Sequence, residues 1–253
     1  MQDALSTRQD LFADFKHVDF WIFDLDNTLY PQDLNLMVQM RTRTYDYIRQ
    51  LLDTDHTGAA ELYERFETVY GTAFNGLIIE HGIDPHVFLD YVHDIDHGLL
   101  VPDLQLADAI RSLPGKRVIY TNGTVGHAEN VLKRLGITDA FDCIFDIVWA
   151  DLDPKPHRAP YERLFAQMGA DPKRAAMFED VARNLEIPHV LGARTVLVSP
   201  EFLCRSRHTD RAAADVAPGY IDYITHDLRG FLAGVLNALP DNRHNEDDRP
   251  GTF

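Results

Sequence analysis

The chain has 253 residues, 45% hydrophobic and 25% charged, enough for one large domain or a core domain with a smaller one inserted. Its 40 acidic and 24 basic residues give a formal charge of −16, which argues against binding a nucleic-acid polymer, whose phosphate backbone needs a basic surface to displace its counterions. No run approaches the roughly 18 apolar residues of a membrane span, and Met1-Gln2-Asp3-Ala4 lacks a basic-then-apolar leader, so a cytoplasmic protein with no membrane partner is expected.

In chain order, an apolar run from Val18 leads into Phe23-Asp24-Leu25-Asp26-Asn27-Thr28-Leu29-Tyr30, and such a run suits a parallel strand buried on both faces. From Tyr30 to about Pro102 no strand pattern appears. Leu34, Val38, Tyr45, Ile48 and Leu52 mark one amphipathic helix, and Leu62, Phe66, Val69, Ala73 and Leu77 a second. Asp84-Pro85 opens a third, with Asp as cap and Pro in the first turn, that buries Val87, Tyr91 and Ile95. Gly71 and Gly76 each cost about 1 kcal/mol inside the second pattern and point to a kink.

Further strand-like runs occur at Arg117 to Thr121, Ile144 to Trp149, Ala175 to Asp180 and Thr195 to Ser199. They alternate with helical stripes at Ala128, Val131, Leu132 and Leu135 and at Tyr161, Leu164, Phe165 and Met168. That alternation predicts an α/β fold, a doubly wound parallel sheet with a small helical bundle inserted after its first strand. Tyr220 to Thr225 reads as an edge strand, and Leu228, Phe231, Leu232, Val235 and Leu236 as a closing helix. Arg205 to Pro218 is weakly patterned, and the polar tail from Pro240 reads as disordered. The expected division is a core of residues 1–30 and 103–239, a helical insertion of 31–102 and a tail of 240–253.

Four places carry chemistry. Asp24 and Asp26, two residues apart at a strand exit and followed by Thr28, suit a nucleophile, an acid/base partner and an Mg²⁺ contact at one phosphate. Thr121-Asn122-Gly123 can donate hydrogen bonds to phosphate oxygens at a helix N-terminus. Lys155, between Pro154 and Pro156, can neutralise charge on a transferring phosphoryl group. Phe178-Glu179-Asp180 can supply the remaining Mg²⁺ ligands. Each has a plainer reading: Asp, Asn and Thr form turns, Asn-Gly is a common turn pair, and most loop lysines are merely solvated. All four, however, fall at the carboxyl ends of successive predicted strands, where an open α/β sheet gathers its site. Cys143 and Cys204 have neither CxxC spacing nor histidines clustered at metal-site intervals and read as reduced residues without a chemical role.

In order and placement these four motifs resemble those of the haloacid dehalogenase superfamily in its phosphatase form, over about Val18 to Val198. The resemblance implies a Rossmann-like core with a central first strand, and an insertion that caps the active site. It implies that Asp24 becomes an aspartyl phosphate and that Asp26 acts as general acid and then base. Thr121, Asn122, Gly123 and Lys155 would bind the phosphoryl group. Mg²⁺ would be held by Asp24, the Asp26 backbone carbonyl and Asp180. Glu179 stands where Gly or Asp is common and Asn184 where many members have a second Asp, so either is open as a further metal contact.

The segments Tyr70 to Leu77, His81 to Asp84 and Val92 to Asp96, with Asn27-Thr28-Leu29-Tyr30, resemble the pyrimidine 5′-nucleotidase branch. That likeness implies a nucleoside monophosphate substrate, with Asn75 and His81 as candidate contacts. The aromatic residues of the insertion read first as its core, and His81 and His93 as helix-end or surface histidines. Phosphatases of sugar phosphates or other small esters, phosphomutases, dehalogenases and non-catalytic phosphate-binding proteins are the alternatives. Asp26 speaks against a dehalogenase, because a halide leaving group needs no acid.

Overall fold

Residues 13–200 and 218–239 are described by a computed structural model. Among them, strand β1 (Phe20–Phe23) is followed by helices α1 (Leu36–Leu52), α2 (His56–Tyr70), α3 (Ala73–His81), α4 (Pro85–His93) and α5 (Leu104–Arg111). Then come β2 (Lys116–Tyr120), α6 (Val125–Leu135), β3 (Cys143–Phe145), α7 (Arg158–Met168), β4 (Ala175–Glu179), α8 (Glu186–Leu191), β5 (Arg194–Val198), β6 (Tyr223–Thr225) and α9 (Leu228–Ala238). The six strands form one sheet in the order β3-β2-β1-β4-β5-β6, and every neighbouring pair is parallel. This is the doubly wound Rossmann-like fold expected from the alternation, with the first strand at its centre.

Residue alternation along β1 shows why it is apolar throughout. Trp21 and Phe23 point into one hydrophobic layer with Ile110, Ala128, Val131, Leu132, Leu232 and Val235, while Phe20 and Ile22 point into the other with Tyr161, Leu164 and Phe165. Helices α5, α6 and α9 therefore cover one face of the sheet, and α7 the other. A strand covered on both sides needs apolar residues at every position. Phe23 stacks on Phe178 of β4 at 4.7 Å between ring centroids, which ties together the two strands that deliver acidic residues.

Several elements differ from expectation. Strand β3 ends at Phe145 because the next residue, Asp146, accepts from the backbone N–H groups of Val125 and Trp149 and turns the chain. The second inserted helix is two: Gly71 adopts φ 79° as a left-handed C-cap, and the Thr72 hydroxyl caps the next helix by accepting from Asn75 N–H. Gly76 lies within α3, where a Cβ would fall 2.4 Å from the Phe66 ring, so its missing side chain permits close packing of α2 on α3. Asp84 caps α4 as expected. The buried face of α4, however, is Phe88, Leu89 and Val92, while Val87 is exposed and Ile95 follows the helix end. Helices α1 to α4 share a cluster that includes Ile48, Phe66, Leu77, Phe88 and Val92 and also takes in Ile147, from the loop after β3.

The edge strand expected at Tyr220 to Thr225 is β6. Most of the weakly patterned stretch, Cys204 and the tail lie outside the described residues. No helix among the described residues is long and apolar enough to cross a membrane.

Candidate active site

The β1 exit, the β2 exit, the loop after β3 and the end of β4 converge on a cavity of about 230 Å³. It is lined by Asp24, Asp26, Thr121, Lys155, Glu179 and Asp180, among others. Asp24 follows the central strand, and its N–H donates to the Phe178 carbonyl at 2.9 Å. Sheet pairing thus continues one residue past β1, and the side chain is fixed where the strand order turns outward on both sides.

Buried Lys155 lies at the centre of the charge pattern. Its Nζ donates to Asp24 Oδ1 at 2.6 Å, to Glu179 Oε2 at 2.7 Å and to the Tyr120 carbonyl at 3.0 Å. Thr28 Oγ1 donates to the other Asp24 oxygen at 2.9 Å. Burial pushes the Asp24 carboxyl up and Lys155 only partly offsets it; the two carboxylates beside Lys155 keep its own pKa above the usual lysine value despite burial. Asn122 explains how the lysine reaches this point. Its side chain accepts from the Lys155 N–H at 2.9 Å and donates to the Lys155 carbonyl at 3.3 Å.

Glu179 has little capacity left for a metal. Besides Lys155, its Oε1 accepts from the Val181 N–H at 3.2 Å and from Asn184 Nδ2 at 3.0 Å. Asp180 takes a hydrogen bond from Asn27 Nδ2 at 3.2 Å, and Asn27 reaches it from a left-handed backbone position at φ 59°. Asn184 Oδ1 is buried without a partner. Thr121 Oγ1 accepts from Gly123 N–H at 2.9 Å, and a Cβ on Gly123 would meet His127 Cδ2 at 3.2 Å and Thr121 Oγ1 at 3.3 Å. The loop after β2 is tight enough to favour glycine there.

This donor set fits a hard dication. Oxygen atoms of Asp24, Glu179 and Asp180 lie within 4.8 Å of one another, yet one ammonium serves them. Burial and then the charge on Asp24 push Asp180 up to about 6 and Glu179 to about 8. Asp24 and Asp180 are the carboxylates that could hold such a cation, and the unpartnered Asn184 Oδ1 belongs to a residue lining the same cavity; Glu179 is occupied holding the lysine.

A pH prediction follows from these shifts. Both carboxyls keep their protons to higher pH in the folded state than at their ordinary values of 3.8 and 4.5. In the metal-free protein these two groups therefore bind more protons when folded than when unfolded, and their contribution to stability falls as pH rises from about 4 to about 8. Mg²⁺ should raise the melting temperature more at pH 8 than at pH 5, and Asp180→Asn should remove most of that gain. A gain independent of pH in a melting series would contradict the shared-charge account.

The cavity brings together Asp24, Asp26, Thr121, Asn122, Gly123, Lys155 and Asp180. It does not bring in Asn75 or His81. Asn75 Nδ2 donates to the Tyr70 carbonyl at 3.3 Å, and the His81 ring packs edge-on against Phe66 at 6.0 Å. The insertion instead contributes Met37 and Met40 of α1 and His93 at the end of α4. His93 Nδ1 lies 2.8 Å from the Leu89 carbonyl, so it donates there and leaves Nε2 as an acceptor. Burial and the neighbouring His127 lower its pKa to about 4, so it is neutral.

The sequence reading also missed Tyr30 and His127 as partners of Asp26. The hydroxyl of Tyr30 donates to Asp26 Oδ1 at 2.5 Å, and His127 Nε2 lies 2.7 Å from the same oxygen. Burial works to raise the Asp26 carboxyl, but the charge and hydrogen bond of His127, with the Tyr30 hydroxyl, bring it below the ordinary carboxylate value. The signal for His127 was present: it lies four residues before Val131, on the buried stripe of α6.

A parallel α/β sheet whose central strand delivers a buried aspartate beside a lysine and further carboxylates is a Rossmann-like core with an acidic site at the carboxyl ends of its strands. The chain belongs to the haloacid dehalogenase-like hydrolases, the family that matches residues 19–187. It is 32% identical over 136 residues to "Phosphate metabolism protein 8" of Saccharomyces cerevisiae, a match spanning 49% of this chain and 42% of the yeast protein. Among solved structures, a HAD phosphatase from Thermococcus onnurineus is similar at 20% identity with a TM-score of 0.55, over 86% of this chain and 99% of that one. L-2-haloacid dehalogenase from Xanthobacter autotrophicus is similar at 18% identity with a TM-score of 0.49, over 86% and 99% of the two chains. At 20% identity the likeness to the Thermococcus structure speaks to the fold alone.

Proposed function

We propose that this hydrolase is an Mg²⁺-dependent phosphomonoesterase that acts on nucleoside 5′-monophosphates through an aspartyl phosphate on Asp24. The observation that carries the reading is Asp26, a second carboxyl in the same cavity as the Asp24 nucleophile. Expelling an alkoxide from a phosphate ester calls for an acid, whereas expelling a halide does not. Asp24 attacks phosphorus, Asp26 protonates the leaving oxygen, and Asp26 then takes a proton from the water that cleaves the aspartyl phosphate. Lys155 and Thr121 hold the phosphoryl oxygens as charge shifts between them. Asp24 and Asp180 would hold Mg²⁺, which would supply charge neutralisation at the phosphate.

The substrate reading rests on the cavity wall and on the branch resemblance in the insertion. Among the described lining residues Lys155 is the one cation, so no second anionic group finds a partner. That favours one phosphate on a neutral leaving group over phosphoglycolate or a bisphosphate. Met37 and Met40 offer adaptable apolar surface to a flat base, and His93 Nε2 offers it an acceptor. In this proposal residues 31–102 form a cap over a core of 1–30 and 103–239, excluding water when substrate binds.

Phosphate release across pyrimidine and purine 5′-monophosphates, sugar phosphates and phosphoglycolate, with Mg²⁺ and with chelator, tests the proposal. Pyrimidine nucleotides should lead and chelator should stop turnover. Equal rates for both nucleotide classes, or a preference for sugar phosphates, would overturn the nucleotidase reading and leave the phosphatase chemistry standing. Met40→Ala should lower kcat/KM for the preferred nucleotide by about tenfold, as loss of apolar pocket contact typically does. Hydrolysis of p-nitrophenyl phosphate, whose leaving group needs few contacts, should change much less.

A further inference from the structure

We propose that His127 is a positioning residue for Asp26: together with Tyr30 it claims one carboxyl oxygen, so that the other is the oxygen that meets the leaving group. The inference rests on the acid/base reading of Asp26. Both donors converge on Oδ1, at 2.5 Å from Tyr30 Oη and 2.7 Å from His127 Nε2. Among the described residues Oδ2 takes no donor, and the Asp26 side chain, 16% exposed, lines the cavity. These donors engage the lone pairs of Oδ1 and leave Oδ2 as the oxygen open to a new partner. The two contacts thereby fix both the plane of the carboxyl and the oxygen through which it exchanges protons with substrate.

His127 is itself held in place. Its side chain is wholly buried, its Nδ1 lies 3.2 Å from His97 Nε2, and its ring stacks on His93 at 4.9 Å. His93 and His97 come from the far end of the insertion, and His127 sits in the first turn of α6, just after the Thr121-Asn122-Gly123 loop. A buried imidazole needs partners for both nitrogens, and this one has them on opposite sides, with Asp26 as one. An Asp26 freed from this contact could turn away from the leaving group without any change in the fold.

The test compares His127→Phe, which keeps a ring for packing and removes the donor, with His127→Gln, which returns an N–H near Nε2. Acid–base catalysis contributes about 10²- to 10⁴-fold, so misorienting the acid in His127→Phe should lower kcat on a nucleoside 5′-monophosphate by about 30-fold or more, with KM within about threefold. The same variant should lose less than about threefold on 2,4-dinitrophenyl phosphate, whose leaving group needs no proton. His127→Gln should recover most of the loss. Equal losses on both esters, an active Phe variant, or a Gln variant no better than Phe would overturn the inference. A wild-type protein inactive on every phosphate ester would overturn the reading of Asp26, and the inference with it; an active wild type with a different ranking of variants overturns the inference alone.

Discussion

Asp24→Asn should lower kcat by at least about 10³-fold on every phosphate ester, because the amide is no nucleophile and acts as a poor ligand to a hard dication. The fold should survive. The side chain is nearly isosteric, and the carboxylate it replaces is buried and already pushed towards its neutral form. The amide oxygen can still accept from Lys155 Nζ. Circular dichroism and melting should therefore match the parent protein while steady-state phosphate release disappears. Substantial turnover in a carefully purified variant would exclude Asp24 as the group that receives the phosphoryl.

Lys155→Met should damage both activity and stability. The ammonium bonds Asp24, Glu179 and the Tyr120 carbonyl from a site where the residue is 3% exposed. Removing one partner of a buried ion pair leaves charge without compensation and typically costs about 3–5 kcal/mol. At roughly 2–4 °C per kcal/mol for a chain of this size, the melting temperature should fall by about 10 °C. The deficit should be smaller at pH 5 than at pH 8, since protonated Glu179, whose carboxyl is pushed up to about 8, needs no counterion. Turnover should fall by at least about 10²-fold, the usual loss when a group aimed at developing charge is removed. An unchanged melting temperature with normal turnover would show that Lys155 is not the counter-charge of the site.

The legible part of this protein was the part whose chemistry is local. Asp24 and Asp26 share one loop, and Thr121, Lys155 and Asp180 each end or follow an apolar run, so strand placement alone sent them to one edge of the sheet. The helices of the insertion were visible as stripes, and Gly71 and Gly76 as signs of a kink, but the full break into two capped helices at Gly71 was not. A left-handed cap and a continued helix share the same apolar spacing until the glycine's φ is known. Which insertion residues meet the cavity was also hidden. That depends on how α1 and α4 dock on the core, and the docking turns Met37, Met40 and His93 inward while Asn75 and His81 pack among their own helices. Asn122 looked like a phosphate donor, yet its side chain holds the backbone of a lysine 33 residues away. The His127–Asp26 contact spans 101 residues, and no local pattern announces a pair that distant.

The central claim, that Asp24 carries the phosphoryl group, is tested most directly by acid-quenching the protein during turnover of a phosphate-labelled ester and mapping the label by peptide mass. The account predicts an acid-stable, hydroxylamine-labile phosphoryl group on the peptide containing Asp24, which is absent in Asp24→Asn. Label on any other residue, or rapid turnover with no labelled peptide at any quench time, would contradict it.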